Sequence, residues 1–181
     1  MKVVETSLPG VLLLTPKIYR DNRGAFWETW NQHQMEQAGL PTRWVQDNFS
    51  FSHKNVVRGI HYQILQPQAK LVRAAHGAVF DVAVDLRRSS PHFGRHVAME
   101  LTADGGEMLY IPEGFGHGFV ALTPSVGLAY KVTDYYCAQG ERTIAWNDAD
   151  LAIPWPIDPL SAILSDKDLK GVAFGSAEVF A

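Results

Sequence analysis

Apolar and polar residues alternate along most of this chain with a period of two, the spacing of strands rather than helices. The run Ala78-Val79-Phe80-Asp81-Val82-Ala83-Val84-Asp85-Leu86 puts Phe80, Val82, Val84 and Leu86 on one face, which predicts a strand against a core. Val56-Val57-Arg58-Gly59-Ile60-His61-Tyr62-Gln63 and Gln68-Ala69-Lys70-Leu71-Val72-Arg73 predict two more, because Val, Ile and Tyr favour a pleated, half-buried surface. Shorter runs at 11–14, 26–30, 97–101, 108–111, 119–122, 128–132 and 143–146 lie between turn signals such as Asp21-Asn22-Arg23-Gly24, Asp104-Gly105-Gly106 and Thr123-Pro124. One short helix is predicted over 31–39, with Asn31 as N-cap and Gly39 as a stop before Pro41. About ten short strands with turns every 8–12 residues predict an all-β sandwich or barrel. From Leu151 the chain is rich in proline and then polar at Leu164-Ser165-Asp166-Lys167-Asp168, which predicts a tail wrapped on the body.

Two strands have unusual faces. In 44–52, Val45, Phe49 and Phe51 share one side while Gln46, Asn48, Ser50 and Ser52 share the other. Such a polar face is either solvated or lines a pocket that reads a ligand's hydrogen-bonding edge. In 56–63, strict alternation sends His61 and Gln63 one way and Arg58, Ile60 and Tyr62 the other. Arg58 and His61 share a cavity only if the chain kinks at Gly59, where a glycine inside a strand suggests a bulge.

Composition narrows the classes. The chain has 181 residues, the length expected of one domain over 1–181. Its formal charge of −3 carries no basic footprint for nucleic acid, and no 18-residue apolar run predicts a membrane span. Cys137 is the single cysteine, which fits a reducing compartment, and the start lacks the apolar core of a secretory signal; a cytoplasmic protein is expected.

Pro112-Glu113-Gly114-Phe115-Gly116-His117 matches the P-x-G-x-x-H half of the cupin signature, and cupins are jelly rolls. Metal-binding cupins add a His-x-His pair from an earlier strand, where this chain has His61 followed by Gln63 at the next same-face position. One histidine on each strand supplies too few ligands for a transition-metal site, so no metal is expected. His33, His53, His76, His92 and His96 stand at no ligand spacing. No phosphate loop, dinucleotide fingerprint or nucleophile motif is present. The remaining His, Lys, Arg, Tyr and Asp suit proton abstraction beside a carbonyl, which needs a base, a cation for the enolate and an acid on the other face.

At this point the sequence resembles the dTDP-4-dehydrorhamnose 3,5-epimerase family. The matching segments include Asp21-Asn22-Arg23-Gly24-Ala25-Phe26-Trp27-Glu28, Gln46-Asp47-Asn48-Phe49-Ser50, Arg58-Gly59-Ile60-His61-Tyr62-Gln63 and Gln68-Ala69-Lys70-Leu71-Val72. They continue with Phe80-Asp81-Val82-Ala83-Val84-Asp85-Leu86-Arg87, Tyr110-Ile111-Pro112-Glu113-Gly114-Phe115-Gly116-His117-Gly118-Phe119, Tyr130-Lys131-Val132-Thr133-Asp134-Tyr135-Tyr136 and Leu164-Ser165-Asp166-Lys167-Asp168, all in family order. The resemblance implies a cupin-like jelly roll with one or two short helices and a C-terminal wrapping tail. It implies a cofactor-independent isomerase that inverts C3 and C5 of a dTDP-keto-deoxysugar, dTDP-4-dehydro-6-deoxy-D-glucose.

It also implies roles. His61 would be the base, oriented by Asp168; Lys70 would stabilise the enolate at C4; Tyr130 would be the acid on the opposite face. Arg23, Arg58 and His117 would hold the diphosphate or lie beside it. Gln46, Asn48, Phe26, Glu28, Tyr136, Glu141 and Lys167 would complete the nucleotide and sugar contacts. The family forms homodimers, often by exchanging N-terminal strands, and the run 11–14 is the expected edge for that exchange. Gly116 stands where many relatives carry alanine, with only a modest packing change expected. Two other readings stay open: inversion of one carbon only on a related keto-sugar nucleotide, and a non-catalytic cupin that binds a sugar nucleotide.

Overall fold

The computed structural model describes residues 1–181, and the period-two pattern folds into antiparallel sheets. In chain order the strands begin with β1 (Lys2–Glu5), β2 (Leu12–Thr15), β3 (Tyr19–Asp21) and β4 (Gly24–Phe26). Helix α1 (Gln32–Gln37) follows, then β5 (Gln46–His53), β6 (Val57–Gln63), β7 (Lys70–His76) and β8 (Ala78–Asp85). The body closes with β9 (His96–Thr102), β10 (Met108–Ile111), β11 (Phe115–Ala121), β12 (Ser125–Val132) and β13 (Glu141–Thr143). One sheet runs β1-β2-β10-β7-β12-β5, the other β13-β6-β11-β8-β9, and β3 and β4 form a separate hairpin. This is the all-β jelly-roll class that the strand pattern and the cupin half-signature predicted. No helix is long and apolar enough to cross a membrane.

The facing sides of the two sheets enclose a core that includes Val72, Val79, Ala83, Leu109, Phe115, Val126 and Leu128. The second sheet is buried on its other side as well. Phe80, Val82, Val84 and Leu86, the predicted core face of β8, pack with Ile60, Tyr62, Leu151 and Ile153 under the C-terminal tail. Parallel bridges Val56↔Ile163 and Ile144↔Val172 fasten that tail on either side of a one-turn helix, α2 (Asp166–Leu169). The tail therefore wraps the body as its composition predicted, covering apolar area that would otherwise face water.

On the outer side of the first sheet, α1 lays Met35 against Leu14, Leu71 and Met108. Its start follows the sequence signal: the Asn31 side chain accepts from the Gln34 N–H. The strand predicted over 26–30 stops at Phe26 instead. Glu28 accepts from Asn31 Nδ2 at 3.0 Å and Gln34 Nε2 at 2.9 Å, a polar cluster at the helix entrance that competes with extended pairing. The run 11–14 also departs from expectation. Val11 and Leu14 are fully buried, and β2 lies between β1 and β10, so the free edge is the exposed β1.

Gly116 carries more consequence than its neighbourhood in the sequence suggested. A Cβ there would stand 2.4 Å from Ile60 Cγ2 and 3.0 Å from Leu86 Cδ1, both fully buried. Gly116→Ala is therefore expected to cost about 1–3 kcal/mol through overpacking, lowering the melting temperature by several degrees. Ile60→Leu, which has no γ-methyl on Cβ, should recover most of that loss in the double variant; equal melting temperatures of Gly116→Ala and the parent chain would refute the clash.

Candidate active site

The site starts at Gly59. Its φ of +121° suits glycine, and a Cβ there would lie 2.5 Å from Gly118 Cα and 2.7 Å from the His117 carbonyl oxygen. The β6–β11 pairing slips at this contact: His61 pairs with His117, yet Arg58 pairs with Phe119. This is the kink that the alternation required. Arg58 and His61 now line the same cavity, about 320 Å³ in volume. Arg58 is held by Nε–Ser52 Oγ at 3.1 Å and Nη2–Phe51 O at 3.0 Å.

The tail completes the floor. His61 Nε2 lies 2.5 Å from Asp168 Oδ1, and Asp168 is almost wholly buried. Ser165 caps α2 by accepting from the Asp168 N–H at 3.2 Å, while its own hydroxyl donates to Asp168 Oδ2 at 2.7 Å. The Gly59 N–H adds a bond to Oδ1 at 3.3 Å. Burial works against ionisation of Asp168, but bonds from His61 and Ser165 outweigh it and hold the carboxyl at about 2. Burial, opposed by Asp168, places the His61 imidazole below its ordinary value. A neutral ring donating Nε2–H to an ionised carboxylate keeps Nδ1 as its basic atom.

The first sheet forms the facing wall. Gln46, Asn48 and Ser50 from β5, Lys70 from β7 and Tyr130 from β12 all line the cavity. Asn48 pairs with Tyr130, and Tyr130 with Val72, so the register puts the phenol beside the polar face of β5. Burial lowers Lys70 to about 8, partly countered by Asp81. Burial raises Tyr130, partly countered by Arg58. At the rim, Glu141 accepts from Tyr136 Oη at 3.1 Å and Lys167 Nζ at 2.6 Å. Beneath the floor, His117 Nε2 lies 2.9 and 3.1 Å from the two oxygens of Asp81. No group of three or more His, Cys, Asp or Glu side chains that could hold a metal comes together.

A model of the family described as dTDP-4-dehydrorhamnose 3,5-epimerase matches residues 5–175. The chain belongs to the dTDP-4-dehydrorhamnose 3,5-epimerase family. It is 48% identical over 181 residues to the enzyme of that name from Pseudomonas aeruginosa, covering 99% of both chains. The Salmonella typhimurium enzyme is 48% identical over 170 residues, covering 93% of this chain and 92% of that one. A crystal structure of dTDP-6-deoxy-D-glucose-3,5-epimerase from Legionella pneumophila, in complex with dTDP-4-keto-L-rhamnose, superposes with a TM-score of 0.94 at 42% identity. That match covers 98% of this chain and 94% of the other.

Of the residues that resemblance to the epimerase family singled out, the cavity gathers Gln46, Asn48, Arg58, His61, Lys70, His117, Tyr130, Tyr136, Glu141 and Lys167, with Asp168 bonded to His61. Arg23, Phe26 and Glu28 lie outside it. Arg23 is exposed on the β3–β4 turn and bonds Asp21 at 2.6 Å, Phe26 is 67% exposed on that hairpin, and Glu28 serves the entrance of α1. Ser50, Gln68 and Phe119 line the cavity without having been singled out. Ser50 was visible on the polar face of β5, whereas Gln68 and Phe119 carried no separate signal. Gln63, in the second slot of the absent His-x-His, instead braces the 135–137 loop by accepting from Cys137 N at 2.9 Å and donating to Tyr135 O at 3.2 Å.

Proposed function

We propose that this chain inverts C3 and C5 of dTDP-4-dehydro-6-deoxy-D-glucose to give dTDP-4-dehydro-L-rhamnose. The observation that carries this reading is the opposition of two proton-handling groups: the His61–Asp168 pair on the second sheet and Tyr130 on the first, both lining one cavity with Lys70. His61 takes a proton from the carbon next to the C4 ketone. The electron pair moves onto the ketone oxygen, where the Lys70 ammonium meets the developing charge. Tyr130 delivers a proton to the other face, the carbonyl re-forms, and the same sequence serves the second carbon. The ketone is the electron sink, so no step needs a cofactor. Arg58 and His117 serve the diphosphate, with Gln46, Asn48, Tyr136, Glu141 and Lys167 around the sugar and nucleotide.

The enzyme acts as a homodimer in the cytoplasm, where its lone Cys137 stays reduced. The interior position of β2 excludes 11–14 as the exchanged edge. The exposed β3–β4 hairpin takes its place and carries Arg23 and Phe26 to the cavity of a second copy. Its exposed Tyr19 and Phe26, and the exposed Phe49 and Phe51 on edge strand β5, supply apolar area for that contact.

Incubation with dTDP-4-dehydro-6-deoxy-D-glucose in heavy water tests the activity. Deuterium at both C3 and C5 of an inverted product is the expected result. Deuterium at one carbon would replace this reading with single epimerisation, and no exchange would reduce the chain to a binding module.

A further inference from the structure

The reaction above leaves the buried acid Asp81 without a task. Asp81 is on β8 at an inner-face position between Val79 and Ala83, both in the main core, and it has no exposure to solvent. Its register partners are Phe119 on β11 and Met99 on β9. Both carboxylate oxygens lie near one donor, His117 Nε2, at 2.9 and 3.1 Å. A carboxylate has about four lone-pair sites, and one imidazole N–H leaves most of them unmet. A buried carboxyl group with so few donors around it calls for a further positive group nearby.

Lys70 is such a group. It stands at the first position of β7, lines the same cavity as His117, and has no ion-pair partner of its own. Glu141 on β13 is occupied by Lys167 of α2. The other titratable or charged side chains lining the cavity are Arg58, His61 and Tyr62 on β6, Tyr130 on β12, Tyr136 after it and His117 itself. Lys167 opposes a charge on Lys70, and Asp81 is the leading group that favours it, ahead of Glu141.

We propose that Asp81 is a positioning residue for the reaction, fixing the His117 ring by its Nε2 bond and keeping the Lys70 amine charged where the enolate oxygen forms. It touches no substrate atom in this scheme and acts through its two neighbours. Losing its charge should weaken Lys70 as an oxyanion partner, an effect confined to the transition state, so kcat falls while KM moves little. The proposal rests on the Lys70 role given above.

Lys70 is lowered to about 8 by burial in spite of Asp81, so removing that carboxylate lowers it further. In Asp81→Asn, which keeps the shape, the Lys70 amine should therefore lose its proton at lower pH, by about one unit. Two readouts follow this in the full-length chain. The first is the pH midpoint for trinitrobenzenesulfonate labelling of Lys70, located by mass spectrometry, which needs no turnover. The second is the alkaline limb of the kcat–pH profile. Both should move acidward together, and Asp81→Asn should add little loss of kcat in a Lys70→Met background. An unmoved labelling midpoint overturns the proposal even if the chain is an active epimerase. A moved midpoint in a chain that turns nothing over upholds the Asp81–Lys70 link and instead refutes the reading of the site. If Asp81→Asn does not fold, Asp81→Ser, with room for a water beside His117, takes its place in the same two measurements.

Discussion

His61→Ala is expected to abolish both epimerisation and the exchange of substrate protons with solvent. Removal of a positioned general base commonly costs a hundredfold to ten-thousandfold in rate, and with no second base at this carbon a loss of about a thousandfold or more is expected. The fold should survive, because Asp168 retains Ser165 and Gly59 as partners when the imidazole is gone. The pH dependence gives an independent check. Burial places the His61 imidazole below its ordinary value of 6.5, so the acid limb of kcat/KM in the parent chain should fall below that pH. Below the limb the ring holds a proton and cannot accept another. In Asp168→Ala the hydrogen bond that favours the charged ring is removed, which moves the limb further toward acid and leaves a slower enzyme. Deuterium exchange measured by proton NMR decides the assignment. Undiminished exchange in His61→Ala would mean that another group is the base.

How much of this was legible in the sequence depends on the range of the interaction. The alternation of β8 and the Asn31 cap are local, and both were readable because they follow from backbone geometry and nearest neighbours. The polar face of β5 was visible as a face, but whether it met solvent or a cavity depended on what the second sheet placed opposite. The strand 26–30 failed at Glu28 because a side-chain cluster with Asn31 and Gln34 ended the pairing. The edge assigned to 11–14 failed because β1 and β10, far apart in sequence, both pair with it.

Gly59 and Asp81 mark the two ends of this scale. A glycine in a strand announced a kink, but its direction is set by the approach of Gly118, and that direction brings Arg58 to the side of His61. Asp81 read as one more polar residue in an alternating strand. Val79 and Ala83 on its own face are apolar and hint at burial on both sides of β8, but only the closed sheet shows that His117 is its partner inside. Residues that act through the family resemblance divide in the same way. His61, Lys70, Tyr130 and Asp168 come from four separated segments and meet because sheets and tail close on one cavity, whereas Arg23, Phe26 and Glu28 share one short segment that stays outside that cavity.

Tyr130→Phe is expected to separate proton removal from inversion. Epimerisation takes a proton from one face of the sugar ring and returns one to the other, and a proton given back by His61 restores the starting configuration. The acid must therefore stand across the ring from His61, and Tyr130 is on the facing sheet in the same cavity. Burial raises its phenol above the ordinary value of 10, only partly offset by Arg58, so the group carries its proton throughout the neutral range. Phenylalanine keeps the ring that packs against the main core and removes only the oxygen. The hydroxyl has no partner in the chain whose loss would leave a buried group unmet, so stability should change by less than about 1 kcal/mol. With His61 and Lys70 intact, the variant should still exchange substrate protons with solvent while forming inverted product at least about a hundredfold more slowly. Following deuterium at C3 and C5 and the product configuration in one NMR time course reads both quantities. Normal product formation would make Tyr130 a packing residue, and loss of exchange along with product would make it part of the base.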